Sequence, residues 1–227
     1  MTFTLRLVPA AALVAALAAL PALAQTTPAA PEGNAAAAPA AQPEILPDVV
    51  MGQADAPVTV IEYASFTCSH CAAFHTDVFP TLKSEYIDTG KVRFIQRDVY
   101  FDEIGLWAGI LAHCGGDQKY HAVSGMLLSQ QKTWLNAKSG DEFAANLRKM
   151  GAAAGFSNEQ MDACWADNAK VERLLATFQK NATADQVEGT PTFVINGEKV
   201  QNQPWDALKA KIDEKLAEAG TAPAASN

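Results

Sequence analysis

The sequence predicts an α/β fold in which a strand-and-helix framework is interrupted by an all-helical insertion. Three observations carry that expectation. Val58-Thr59-Val60-Ile61-Glu62-Tyr63 is a β-branched, mostly apolar run that leads straight into a helical pattern beginning near Cys68. Two further strand-like runs, Val92 to Val99 and Thr192 to Ile195, stand far apart in the chain. Between Phe101 and Asp185 nothing reads as strand. A length of 227 residues suits one domain carrying such an insertion.

Taken in order, the first element is an address rather than a fold. Met1 to Ala24 carries one base, Arg6, then an Ala/Leu/Val run closing on Ala22-Leu23-Ala24, a small-x-small cleavage pattern. Residues 1–24 are expected to be a cleaved signal peptide. The competing reading, a retained anchor, is disfavoured by the flanks and by Pro9 and Pro21. Residues 25–46 are Ala/Pro-rich and read as a flexible linker. The framework then occupies 47–101, the helical insertion 102–184, the second part of the framework 185–220, and a disordered tail 221–227.

Within the framework, Phe74, Val78, Phe79, Leu82 and Tyr86 recur at helical spacing after Cys68. Pro80 is expected to bend that helix and Gly90 to end it. Asn196-Gly197 is a two-residue hairpin signal leading to a short strand near Val200. Pro204 opens a last helix with Trp205, Leu208, Ile212 and Leu216 on one face. In the insertion, Ile104, Trp107, Leu111 and Cys114 share a helical face, as do Phe143, Leu147 and Met150. Ser157 with Gln160 makes a capping box ahead of Met161, and Val171, Leu174, Leu175 and Phe178 mark another helix. Four or five helices are expected, with Trp107, Trp134 and Trp165 in their core.

Composition narrows the function. The 49% hydrophobic content is inflated by seventeen alanines among residues 1–41. A net charge of −8 and a pI near 5.0 leave no basic stripe for nucleic acid. Four cysteines in an exported chain reach a compartment where disulfides persist. Cys68-Ser69-His70-Cys71 follows a buried strand and opens a helix. There the free N–H groups and the helix dipole favour a thiolate on Cys68, and Cys71, one turn on, is placed to act as resolving thiol. His70 is expected to add an electropositive neighbour. A zinc site would need a second pair or two well-spaced histidines, and His113 and His121 do not complete a set. A purely structural bridge over so short a loop would constrain little. No metal and no cofactor are expected.

The run Glu62-Tyr63-Ala64-Ser65-Phe66-Thr67-Cys68-Ser69-His70-Cys71, with Gly189-Thr190-Pro191-Thr192-Phe193 far downstream, resembles the DsbA family of periplasmic thiol:disulfide oxidoreductases. The resemblance covers about Pro47 to Gly220. It implies a thioredoxin-like fold with an inserted helical domain, and a cis bond before Pro191 facing the cysteines. Thr190 would then be free to pair with an extended substrate. Read without the resemblance, Thr190-Pro191 is equally an ordinary trans turn. Ser69 departs from the family's usual proline, while His70 matches. The resemblance also places Glu62 as a buried acid beneath the cysteines, able to relay the Cys71 proton; the alternative is a glutamate facing solvent. His75 reads as a surface or packing residue. With Cys68 and Cys71 paired, Cys114 and Cys164 remain for a structural bridge such as part of the family carries, against the alternative of two buried thiols.

The function these features imply is protein dithiol oxidation: donation of the Cys68–Cys71 disulfide to reduced exported proteins through a mixed disulfide. The site is expected in the periplasm, on a monomer reoxidised by a DsbB-like membrane quinone reductase. The alternatives are an isomerase or reductase of the same fold, or a non-catalytic metal carrier or holdase.

Overall fold

The computed structural model describes residues 43–221; the expected signal peptide, most of the expected linker and residues 222–227 lie outside them. Five strands form one mixed sheet in the order β1-β3-β2-β4-β5. β2 (Val58–Ala64) and β3 (Val92–Asp98) run parallel, with Glu62 opposite Gln96. β4 (Thr192–Ile195) pairs antiparallel with the other side of β2, placing Glu62 opposite Phe193. β5 (Glu198–Gln201) closes a hairpin on β4. Its two turn residues, Asn196 and Gly197, both have positive φ, 46° and 86°, which this tight turn requires. This is the thioredoxin-like α/β arrangement expected.

One strand was not anticipated. β1 (Val50–Met51) adds antiparallel to β3. The chain before it is already anchored: Leu46 N–H donates to Thr177 Oγ1 at 2.8 Å, and Asp48 receives two hydrogen bonds from Arg97 at 2.8 and 2.9 Å. Arg97 also holds Tyr63 Oη and Asp185, tying strands β2 and β3 to the chain just beyond the helical insertion.

The helix after Cys68 is not uniform. α1 (Ser69–Ala73) passes into a π turn (Phe74–Val78), then α2 (Phe79–Leu82), then a second π turn (Lys83–Ile87). Pro80 has no N–H to continue an α ladder, and the π turn just before it absorbs the interruption expected there as a bend. Gly90 follows at φ 76° and turns the chain into β3.

The insertion holds α3 (Glu103–Ala112), α4 (Asp117–Ser129), the single turn α5 (Gln131–Trp134), α6 (Gly140–Ala153), α7 (Asn158–Ala166) and α8 (Asn168–Ala184). That is one more than the upper expectation among the described residues. The capping box at Ser157 and Gln160 is present in both directions. α9 (Trp205–Thr221) buries Leu208 and Ile212 against the sheet; it includes Thr221, which was expected in the tail.

Three apolar clusters pack among the described residues, the smallest being Tyr63, Val99 and Val194; the other two are larger. One gathers Val58, Val60, Phe74, Phe94, Phe193 and Ile212. The other joins the turn before Cys68 to the insertion through Phe66, Cys71, Leu111, Leu127 and Trp134. Trp134 is buried, but Trp107 is 38% exposed, a correction to the expected tryptophan core. The buried residues of α3 are Gly105, Ala108, Gly109, Ile110, Leu111 and Ala112, so Leu111 is in the core as expected and four small residues share the buried side with it and Ile110. A Cβ on Gly109 would lie 2.5 Å from the Tyr100 ring, so this helix approaches the framework on a face of small residues. Among the described residues no helix is long and apolar enough to cross a membrane.

Candidate active site

β2 ends at Ala64 in the middle of the sheet, and the turn after it is held from three sides. Cys68 N–H donates to Ser65 O at 3.1 Å. Thr67 Oγ1 donates to Asp102 Oδ2 at 2.6 Å, while Asp102 Oδ1 caps α3 through Gly105 N–H. Gln131, buried at the start of α5, donates through one amide nitrogen to Phe66 O (2.8 Å) and Cys68 O (2.9 Å). Gln131 was not singled out in the sequence. A glutamine between two helical patterns carries no signal of its own.

That turn makes Cys68 the N-cap of α1, with extended backbone angles of −83° and 118°. Its side chain lies where the first N–H groups of the helix converge. Cys68 is partly exposed and Cys71 fully buried, and both are free thiols. The Cys68 thiol is lowered from 9.0 to about 5. The leading cause is a hydrogen bond from the Cys71 thiol. Burial opposes it, and the Thr190 side chain and the backbone N–H groups of Cys71 and His70 reinforce it. Cys71 moves the other way, far above the ordinary thiol range. The same hydrogen bond comes first, then burial, then the negative charge of Glu62. The pair thus divides into a thiolate facing outward and a protonated thiol facing inward.

Ser69 and His70 are both exposed. Among the leading effects on Cys68, what His70 supplies is its backbone N–H; the imidazole role expected for it is not among them. The Thr190–Pro191 bond is cis. Pro191 is buried, Thr190 is partly exposed, and Cys68 Sγ lies 3.3 Å from Thr190 O, to which it can donate only in its protonated form.

Beneath the cysteines, Glu62 is wholly buried, not turned to solvent. Its Oε2 lies 2.8 Å from His75 Nε2, and its Oε1 has no hydrogen-bond partner. His75 is therefore no surface residue: its side chain is 3% exposed, and its ring stacks on Phe79 with centroids 4.9 Å apart. A signal was available, since Cys71 and His75 are four residues apart and share one helix face. Glu62 likewise shares the buried strand face of Val58 and Val60.

Cys114 and Cys164 form a disulfide with Cα atoms 5.6 Å apart, joining the end of α3 to α7. Beside it, His113 and Tyr120 converge on the buried Asp98 of β3, at 3.1 and 2.6 Å. His121 bonds Val49 O at 2.9 Å. Neither histidine faces the cysteine pair as a ligand. Among the described residues no three His, Cys, Asp or Glu side chains gather as a metal site.

Comparison with known proteins agrees with this geometry. The family model described as Thioredoxin matches residues 45–214. A Rickettsia bellii protein, provisionally named a protein-disulfide oxidoreductase, is 33% identical over 75% of this chain and 65% of its own length. The chain spans less than two-thirds of the Rickettsia relatives it matches, 61% to 65%. Disulfide bond formation protein D of Bacillus subtilis is 24% identical over 77% of this chain and 80% of that protein. Among solved structures, alpha-DsbA1 of Wolbachia pipientis superposes with a TM-score of 0.69 at 26% identity, covering 78% of this chain and 94% of that one.

Proposed function

Because this chain belongs to the thioredoxin family, in its DsbA branch, we propose that it is a protein dithiol oxidase that donates a Cys68–Cys71 disulfide to exported proteins. The observation that carries the reading is the division of the pair: Cys68 partly exposed and lowered to about 5, Cys71 buried and held far above the usual range. A substrate thiolate attacks Cys68 Sγ of the oxidised pair. The new substrate–Cys68 bond forms as the Cys68–Cys71 bond breaks, and Cys71 departs with the electron pair and takes up a proton. A second substrate thiolate then attacks the substrate sulfur, and Cys68 leaves as a thiolate. The substrate has lost two electrons and the pair has gained them. A leaving thiol of low pKa departs faster, so the second step favours substrate oxidation at neutral pH.

The surroundings support the assignment of roles. Thr190 lies beside Cys68 and precedes β4, where an extended client segment can pair with backbone. Glu62 is the buried base for the Cys71 proton, and its charge already acts on that thiol. Cys114–Cys164 is structural. The N-terminal signal pattern supports cleavage after Ala24 and work in the periplasm. Return to the oxidised state is assigned to a DsbB-like membrane quinone reductase. The pair itself stores the two electrons, so the protein works without a cofactor, as a monomer.

The test supplies the oxidised protein to two forms of one multi-disulfide client, fully reduced and scrambled. A dithiol oxidase speeds recovery from the reduced form. Faster recovery from the scrambled form would identify an isomerase instead. N-terminal sequencing of the protein from a periplasmic extract should begin at Gln25.

A further inference from the structure

We infer that His75 is a positioning residue: it occupies Glu62 Oε2 through its Nε2–H and so confines proton exchange with Cys71 to Glu62 Oε1. The inference rests on the reading of Glu62 as the base for Cys71, and extends it to a residue nothing else assigns. A carboxylate has two oxygens, and a buried one normally has both satisfied. Here Oε2 has one close partner, His75 at 2.8 Å, and Oε1 has none while lying where no solvent reaches it. A buried acceptor left without a partner is destabilising, and such a group calls for an explanation such as a catalytic role. The charge of Glu62 acts on the buried Cys71 thiol, the group whose proton the exchange must move.

The imidazole is held so that it cannot turn away. Phe79 stacks on one face, and Phe74 meets its edge at 5.5 Å. The other titratable groups around the pair are His121 and Tyr120 from α4, Asp98 from β3 acting through them, and Cys71 on its own helix. His121 is lowered, by burial first. Tyr120 is raised well above its usual value, also by burial first. Both are therefore neutral near pH 7, and neither supplies a competing charge.

The proton balance is simple. When a substrate displaces Cys71, the departing thiolate takes a proton from Glu62 Oε1–H. Glu62 becomes a carboxylate whose Oε2 still accepts from His75 Nε2–H. When the pair is reoxidised, Cys71 returns that proton to Oε1 as its sulfur attacks. His75 keeps its own proton throughout, and no additional acid or base is consumed.

Two measurements test this. Nitrogen NMR of the imidazoles, in oxidised and reduced protein at pH 7, should show His75 as the neutral Nε2–H form in both states. An Nδ1–H form would make the carboxyl the donor to the ring and overturn the inference. Second, His75→Gln keeps a donor toward Oε2, whereas His75→Leu removes it. Single-turnover oxidation of a dithiol peptide should stay within about three-fold of the parent rate in the first and fall at least ten-fold in the second, with its pH profile displaced. Equal rates and profiles in the two variants would also overturn it. If the parent protein oxidises no dithiol at all, the dithiol-oxidase reading fails. The tautomer measurement stands apart from that outcome.

Discussion

Reducing the Cys68–Cys71 disulfide should change stability in a pH-dependent way that the structure fixes in sign. In the reduced protein Cys68 is lowered from 9.0 to about 5. A group whose pKa falls on folding contributes stability above its unfolded pKa and loses it as pH drops through the folded one. The contribution should therefore be complete near pH 9, decline through the interval from 9 to 5, and vanish below about pH 5. At ~1.4 kcal/mol per pH unit the ceiling is roughly 5 kcal/mol. Cys68 is partly exposed, and solvent screening brings the expectation to roughly 2–3 kcal/mol. Cys71 acts only in alkali. Raised far above an ordinary thiol, it stays neutral in the folded protein while the unfolded thiol ionises, so stability falls again above pH 9. The assay is urea unfolding of reduced and oxidised protein from pH 4.5 to 9.5, with Cys114–Cys164 kept closed and checked by mass. Other titrating groups cancel in the difference. A reduced-minus-oxidised difference that stays flat between pH 5 and 8 would refute the argument.

Three further perturbations follow from the supports around the turn. Gln131→Leu removes both donors to the Phe66 and Cys68 carbonyls and should cost about 1–3 kcal/mol in urea unfolding. It should also raise the pH midpoint of Cys68 alkylation; an unchanged midpoint would show that the clamp does not set the cysteine. Asp102→Ala removes the α3 cap and the Thr67 anchor together, for about 1–2 kcal/mol by thermal unfolding, with Asn retaining most of it. The Cys114→Ala/Cys164→Ala double variant opens a 50-residue loop and should lose up to about 4 kcal/mol in urea. A loss below about 1 kcal/mol would show that the bridge does not constrain the unfolded chain.

What the sequence made legible divides by physical cause. β2 and β4 announce themselves as β-branched runs, and Asn196-Gly197 admits few backbones other than the hairpin turn. Cys68 at a strand-to-helix junction is readable because its chemistry depends on local backbone groups. β1 was silent, since two residues hold no periodicity. Trp107 was misplaced because large apolar residues were taken to mark the buried face of α3. Leu111 is buried as expected, but much of the helix's buried surface is Gly105, Ala108, Gly109 and Ala112, and at Gly109 the Tyr100 ring takes the place of side-chain bulk. Gln131 and His75 were missed for a common reason. Each finds its partner on a different element, Gln131 on Phe66 and His75 on Glu62, and although the i, i+4 spacing puts His75 on the Cys71 face, a polar residue's partner is set by tertiary packing. The network of Gln96, Asp98, Tyr120 and Ser124 between β3 and α4 escaped in the same way.

Cys68 is held as a thiolate at neutral pH by donation from the Cys71 thiol, the Thr190 side chain and the N–H groups of the first turn of α1. The rate of Cys68 alkylation in the reduced protein, followed from pH 3 to 9 by mass spectrometry, tests that most directly. The expected midpoint is near 5, with Cys71 unmodified throughout. A midpoint near the ~8.5 of a free thiol would contradict it and remove the physical basis for a strong oxidant.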